Sequence, residues 1–271
     1  MKKLVICSVL FLLSFVHAGQ TLAAFTVVGG LIRDSTVEPG ERAEGIIHVR
    51  NSGKQDVEVK IFRADYLFTA DGQTLYGNPG STPRSNAEWV SLSPSRVNIP
   101  AGDMASVYYT IEVPEDSLLD GTYWSVVMIE PAVDPVLPTI KEEEGKVTLG
   151  VQAVIRYAIQ IVTNIGDSGE RNIRFMKTTF VGDNGQRLLQ SDIENTGTRC
   201  LSPFVWAELY NEDGLYIGRF ESERLRIYPN CSVRHRVDLT DVPVGAYKAL
   251  LIVDNGDEHV FGANYDLLIE Q

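Results

Sequence analysis

Asn86 to Pro131 reads NAEWVSLSPSRVNIPAGDMASVYYTIEVPEDSLLDGTYWSVVMIEP. Val107, Tyr109, Ile111 and Val113 alternate with Tyr108, Thr110 and Glu112, the period of two of a strand with one face buried. Pro100-Ala101-Gly102 is a turn before it, because proline fixes φ and glycine accepts a positive φ. Asp120-Gly121 is a second turn, and the β-rich run Thr122 to Ile129 follows. The stretch therefore predicts strand, tight turn, strand, turn, strand.

The same plan recurs. Arg226-Ile227-Tyr228-Pro229-Asn230 stands where Val97 to Gly102 stood, and Val233 to Leu239 alternates again. Val244-Gly245-Ala246-Tyr247-Lys248 parallels Asp120-Gly121-Thr122-Tyr123-Trp124. Upstream, Ile47-His48-Val49-Arg50-Asn51-Ser52-Gly53 matches Ser191-Asp192-Ile193-Glu194-Asn195-Thr196-Gly197. One supersecondary plan used twice in order predicts two homologous domains. Many short strands with regular turn signals, and no convincing helical period, predict an all-β chain of two tandem immunoglobulin-like β-sandwiches. The boundaries fall at 25–165 and 166–271, with the Gly- and Asp-rich run Asn164 to Glu170 as linker.

Met1 to Ala24 has the form of a secretory signal peptide: Lys2 and Lys3, an apolar core from Leu4 to Val16, then Ala23 and Ala24. That core is short for a spanning helix, which needs ~20 residues. The formal charge of −12 becomes −12 − 2 = −14 without Lys2 and Lys3, and an acidic surface argues against nucleic acid and anionic lipid. Export to the periplasm is predicted, with the cell surface or secretion as the alternative. Cys200 and Cys231 follow turns that fall at one end of a sandwich. In an oxidising compartment they are expected to form a disulfide, the alternative being two free buried thiols.

Chemistry is sparse. His48, His235 and His259 belong to no HExxH motif, the chain has no CxxC and no GxSxG, and Gly29-Gly30 opens no helix. The Asp-Gly turns at Asp71 and Asp213 and the run Asp254 to Glu258 lack EF-hand spacing, and backbone hydrogen bonding explains them. Trp89, Trp124 and Trp206 read as core packing. The reading is a protein without catalytic site, metal or cofactor.

Two features point to a partner. Val147, Leu149, Val151, Ala153, Ile155, Tyr157, Ile159 and Ile161 form one long apolar row, preceded by a loop from Ala132 to Gly145. An apolar strand longer than the usual ~5–6 residues is an aggregation hazard unless covered. Arg33, in the first strand (Phe25 to Arg33), and Arg156, opposite the apolar row, are candidates to converge on the groove between domains as a carboxylate site. The alternative is that each is a surface or ion-paired arginine.

Over most of the mature chain the pattern resembles the periplasmic pilus-chaperone (PapD-like) family. Trp89-Val90-Ser91-Leu92-Ser93-Pro94-Ser95-Arg96-Val97-Asn98-Ile99-Pro100-Ala101-Gly102 is similar to that family's strand-and-turn, and Val49-Arg50-Asn51-Ser52 to its first hydrophobic strand ending in Asn. The loop 132–146 followed by 147–161 looks like its loop and donor strand. The resemblance implies that this strand lends alternate apolar side chains to an incomplete exported subunit, a β-augmentation. It also implies that Arg33 and Arg156 sit where the family's two basic cleft residues hold the subunit's terminal carboxylate. The expected partner is an exported protein subunit, fimbrial or other surface protein. The first domain also resembles immunoglobulin-like surface modules, so a structural or adhesive module without chaperone activity stands as the alternative.

Overall fold

A computed structural model describes residues 25–132, 140–143, 146–149, 154–183 and 185–270. The expected signal peptide, Met1 to Ala24, and the candidates Val151 and Ala153 lie outside these residues. The first half contains β1 (Phe25–Val28), β2 (Ile32–Val37), β3 (Arg42–Asn51), β4 (Val57–Phe68), β5 (Thr74–Gly77), β6 (Val90–Ser93), β7 (Arg96–Ile99), β8 (Met104–Glu112), β9 (Thr122–Pro131), β10 (Ile140–Glu143), β11 (Lys146–Leu149) and β12 (Tyr157–Ile165). The second half contains β13 (Ile173–Asp183), β14 (Gln186–Asn195), β15 (Phe204–Asn211), β16 (Tyr216–Glu221), β17 (Ser232–Asp238), β18 (Gly245–Asp254) and β19 (Val260–Ile269).

In β8 the alternation becomes burial: Val107 and Ile111 are fully buried, Tyr109 nearly so, and Tyr108 is exposed; Val113, just past the strand's end, is buried as well. Sheet β1-β3-β8-β6 packs on sheet β2-β12-β9-β4-β5, with β7 added on β4. Between them lie Ile47, Val49, Val59, Ile99, Val127, Ile129, Ile159 and Ile161. The second domain packs β13-β14-β17 on β16-β15-β18-β19 around Leu189, Ile193, Val205, Leu209, Val237 and Leu251. This is the all-β pair of tandem immunoglobulin-like sandwiches that the sequence predicts.

The repeat extends to single atoms. Asn51 is buried; its Nδ2 donates to the carbonyls of Gln55 (2.8 Å) and Ile99 (2.9 Å), and its Oδ1 accepts from Gly53 N (2.8 Å). Asn195 does the same with the carbonyls of Arg199 (2.7 Å) and Ile227 (2.8 Å) and with Gly197 N (2.9 Å). The turns beside them match too. Asp103 N donates to Pro100 O across Gly102 at φ 78°, and Cys231 N donates to Tyr228 O across Asn230 at φ 59°. Asparagine tolerates this left-handed conformation better than other side chains, which explains how it takes glycine's place.

Several predicted strands divide. Phe25 to Arg33 is two pieces: β1 pairs with β3, and β2 pairs in parallel with β12 in the opposite sheet. Between them Gly29, at φ 88°, lets the chain cross. Trp89 to Ile99 crosses likewise, β6 pairing with β8 and β7 with β4, and Pro94, which has no N–H to give a ladder, stands between. β16 ends at Glu221, well short of Ile227, and β5 occupies the start of the Gly-, Pro- and Ser-rich stretch from Leu75 to Ala87.

Candidate functional site

The outer face of sheet β2-β12-β9-β4 is where the first domain meets the second. Alternation sends Ile159 and Ile161 inward and leaves Gln160 and Val162 on the opposite face, beside Trp124 of β9 and Tyr66 and Phe68 of β4. The turn Arg226–Cys231 seats on this face. The Tyr228 ring stacks on Trp124, with centroids 4.9 Å apart and planes 9° apart, and Phe68 meets it edge-on at 5.9 Å. Tyr228 Oη donates to Gln160 Oε1, and Trp124 Nε1 donates to Tyr66 O at 2.7 Å. Burial raises the Tyr228 hydroxyl's pKa, so it stays a donor. Arg226 forks onto both Asp34 oxygens at 2.7 and 2.9 Å, and these bonds outweigh its burial and hold its charge.

The linker side is hydrogen-bonded as densely. Thr122 N donates to Thr198 O (2.8 Å), Cys200 N to Thr122 Oγ1 (2.9 Å), and Thr198 Oγ1 to Asp120 Oδ2 (2.7 Å). A Cβ on Gly121, at φ 67°, would lie 2.2 Å from Thr198 O, so the turn that the sequence identifies at Asp120-Gly121 is also a close interdomain approach.

Cys200 and Cys231 belong to this cluster. The turns they follow do lie together, since Leu201 and Ile227 form an antiparallel bridge and Asn195 N bonds Cys231 O. Where the sequence predicts a disulfide, the structure has two free thiols. Their common end of the sandwich brings the cysteines into one apolar cluster, and such a cluster accepts a thiol as a small hydrophobe. Burial pushes Cys200 up to about 12 and Cys231 up to about 11, which suppresses the thiolate.

The two candidate arginines are not brought together. Arg156 Nε binds Glu130 Oε2 at 2.6 Å, and Lys60 Nζ holds the other oxygen of that buried carboxylate, also at 2.6 Å. Arg33 NH1 donates to the carbonyls of Gly30 and Ile32. In register Arg33 stands opposite Ile161, five positions from Arg156, about 17 Å of extended strand. On this outer face the side-chain polar contacts between the domains come instead from residues such as Asp34, Gln160, Arg226 and Tyr228, none of which the sequence reading assigns to a site. A signal was present. Trp124 occupies the place of Lys248 in the repeat, and Tyr228 that of Pro100. A site where one copy of a shared plan turns aromatic on its outer face is a place where that copy is covered.

The predicted strand 147–161 is not continuous. Lys146–Leu149 pairs with β10, which places Val147 and Leu149 in a hairpin, whereas Tyr157 opens β12. Val154 and Ile155 lie outside any strand and are exposed. The period of two runs through the whole stretch, but a strand exists only where a neighbour supplies a ladder. From Tyr157 to Asn164 one flank of β12 is filled by β9. On the other flank β2 joins only at Gln160, so among the described residues Tyr157, Ala158 and Ile159 have no strand partner there. Tyr157 itself packs on Phe25 at 5.5 Å.

No acid–base or metal chemistry assembles among the described residues. No group of three or more His, Cys, Asp or Glu side chains is placed to hold a cation. His235 Nδ1 is hydrogen-bonded to Ser222 Oγ at 2.9 Å, but its Nε2 has no partner, so the third, orienting group of a triad is missing among the described residues.

No protein-family model matches the chain, and no curated protein matches it. In fold it resembles fimbrial chaperones. It is similar to a chain of the chaperone–tip adhesin complex of CFA/I fimbriae biogenesis, at 14% identity over 92% of this chain and 100% of that one, with a TM-score of 0.47. Similarity to the class 5 fimbriae chaperone CfaA is at 14% identity, 91% and 99% coverage and a TM-score of 0.45. For the CsuC–CsuE chaperone–tip adhesion subunit pre-assembly complex of Acinetobacter baumannii Csu pili, the values are 14%, 89%, 98% and 0.43.

Proposed function

We propose that this chain is a periplasmic chaperone-like protein that binds an exported subunit, fimbrial or other surface protein, by β-strand pairing. The observation that carries the reading is the half-open flank of β12. From Gln160 onward β2 fills it; before Gln160, among the described residues, no strand pairs with Tyr157 to Ile159 on that side, and the exposed Val154 and Ile155 lead into it. A subunit strand added there would extend the sheet beyond the end of β2, the main chain giving affinity and alternate side chains giving selection. Val147, Leu149, Val151, Ala153, Ile155 and Tyr157 are the residues assigned to subunit contact. Arg156 and Arg33 would act at the two ends of this flank rather than as one clamp.

The test is recovery of the tagged chain from the periplasm of its own host, with mass spectrometry of what accompanies it. The expected result is one exported β-rich subunit, lost when Leu149, Val151 and Ile155 are replaced together by Ser and lost again in Ile155→Pro. A subunit recovered equally well with both variants would sink the proposal. A chain displayed on the cell surface without any subunit would establish the structural or adhesive reading in its place.

A further inference from the structure

Among the described residues, every sheet edge except β19 and the short open flank of β12 carries a device against self-pairing. β1, β5, β6, β7, β10 and β11 are four residues long, β2 carries Arg33 and Asp34, and β17 carries Arg234 and Arg236. β13 has Lys177 and a register break beside it, between Phe175 and Lys177. β16 is six residues long, contains Arg219 and has a register break where it meets Tyr210. β19 differs. It is ten residues long, VFGANYDLLI, and pairs with β18 without a break from Val260 to Ile269. It contains no Lys, Arg or Pro, and its one charge, Asp266, is ion-paired to Lys248 of the neighbouring strand. Short strands, bulges, lysines and prolines are what proteins use to blunt an edge, and β19 has none of them.

We propose that β19 is an interface for a second copy of this chain, the two strands pairing antiparallel about a two-fold axis through Asn264. The outer face of the strand sets the register. Its residues are Val260, Gly262, Asn264, Asp266 and Leu268, and its large apolar members, Val260 and Leu268, are 57% and 59% exposed. An axis at Asn264 places Val260 opposite Leu268 of the second copy, Gly262 opposite Asp266, and Asn264 opposite itself. Both exposed apolar side chains are then covered twice over, and no charge faces a like charge. Moving the axis by one residue either way unpairs them: at Ala263, Val260 meets Asp266; at Tyr265, Leu268 meets Gly262. On the inner face the Asn264 axis sets Phe261 beside Leu267 and Ala263 beside Tyr265, all apolar or aromatic. The pairing is isologous, as a two-fold dimer requires. It would join two four-stranded sheets into one of eight strands.

The chain's net charge of −12 opposes this association at long range, so dimerisation should strengthen as salt screens it. The experiment is sedimentation equilibrium of the purified chain across a hundred-fold concentration range, with mass rising from one chain toward two. Asn264→Lys puts two ammonium groups opposite each other at the axis, and Asn264→Glu two carboxylates; each should weaken the dimer at least ten-fold. An equimolar mixture of the two variants should restore it, because Lys then faces Glu. Asn264 is exposed, so circular dichroism should show both variants folded. Should either fail that control, the pair Val260→Lys and Leu268→Glu tests the same register: each alone sets a charge against an apolar partner and should weaken the dimer, and the mixture places Lys opposite Glu and should restore it. One-chain mass at every concentration, or a dimer indifferent to Asn264→Lys, overturns the proposal.

Discussion

Asn195→Ala tests the reasoning that ties the repeat to stability. The wild-type amide donates two hydrogen bonds and accepts one, to Arg199 O, Ile227 O and from Gly197 N, with no exposure to water. A buried hydrogen bond contributes roughly 1 kcal/mol net, so three lost bonds cost about 3 kcal/mol. Two details shape that figure. Ile227 O keeps Leu201 N as a donor and Gly197 N keeps Asn172 O as an acceptor, which limits the loss, whereas the structure shows no replacement donor for Arg199 O. Asn195→Asp should be at least as damaging, since it keeps the acceptor, removes both donors and sets a carboxylate against two carbonyl oxygens. Asn51→Ala should cost the first domain a similar amount, because Gln55 O, Ile99 O and Gly53 N stand in the same places. The two asparagines share no partner, so the double variant should show the two losses added. The assay is urea unfolding followed by circular dichroism, with calorimetry to separate the domains. At ~4 °C per kcal/mol, each substitution should lower the midpoint of its own domain by about 12 °C. A midpoint within about 2 °C of wild type for Asn195→Ala, or Asn195→Asp milder than Asn195→Ala, would refute the argument.

Tyr228→Ala removes the ring stacked on Trp124 and the hydroxyl bonded to Gln160; Trp124 fluorescence should shift to the red and protease should cut sooner at the linker 164–170, and an unchanged cleavage rate would show that the domains are held elsewhere. His235 is buried, and burial holds its pKa down to about 4 against an ordinary 6.5. Its neutral form therefore stabilises the second domain fully above pH ~6.5, and that contribution falls as pH drops toward 4, by about 3 kcal/mol at about 1.4 kcal/mol per pH unit. His235→Gln should flatten the limb between pH 6 and pH 4.5, and a limb of wild-type slope would assign it to other groups. In the reduced chain Cys200 and Cys231 should react with a disulfide reagent at pH 8 at least a hundred-fold faster after unfolding, because burial suppresses both thiolates; rapid reaction in the folded state would contradict the packing. Chain purified from the periplasm without reductant and lighter by two hydrogens would establish the disulfide that the sequence predicts.

The sequence by itself determined the all-β character, the two copies of one plan and the inward-facing rows. These follow from alternation and from turn chemistry, which are local. Pro100-Ala101-Gly102 and its counterpart ending at Asn230 could be matched by eye, and the two buried asparagines confirm the match atom by atom. Only the tertiary structure decided which strand pairs with which. Periodicity says that a residue faces in or out and nothing about its neighbour across a ladder. So one apolar row from Val147 to Ile161 became a hairpin strand and a separate strand, and Phe25 to Arg33 divided between two sheets. The interface was hidden for the same reason: Asp34, Trp124, Gln160, Arg226 and Tyr228 are far apart along the chain, and none reads as an interdomain contact until the second domain is laid against the first.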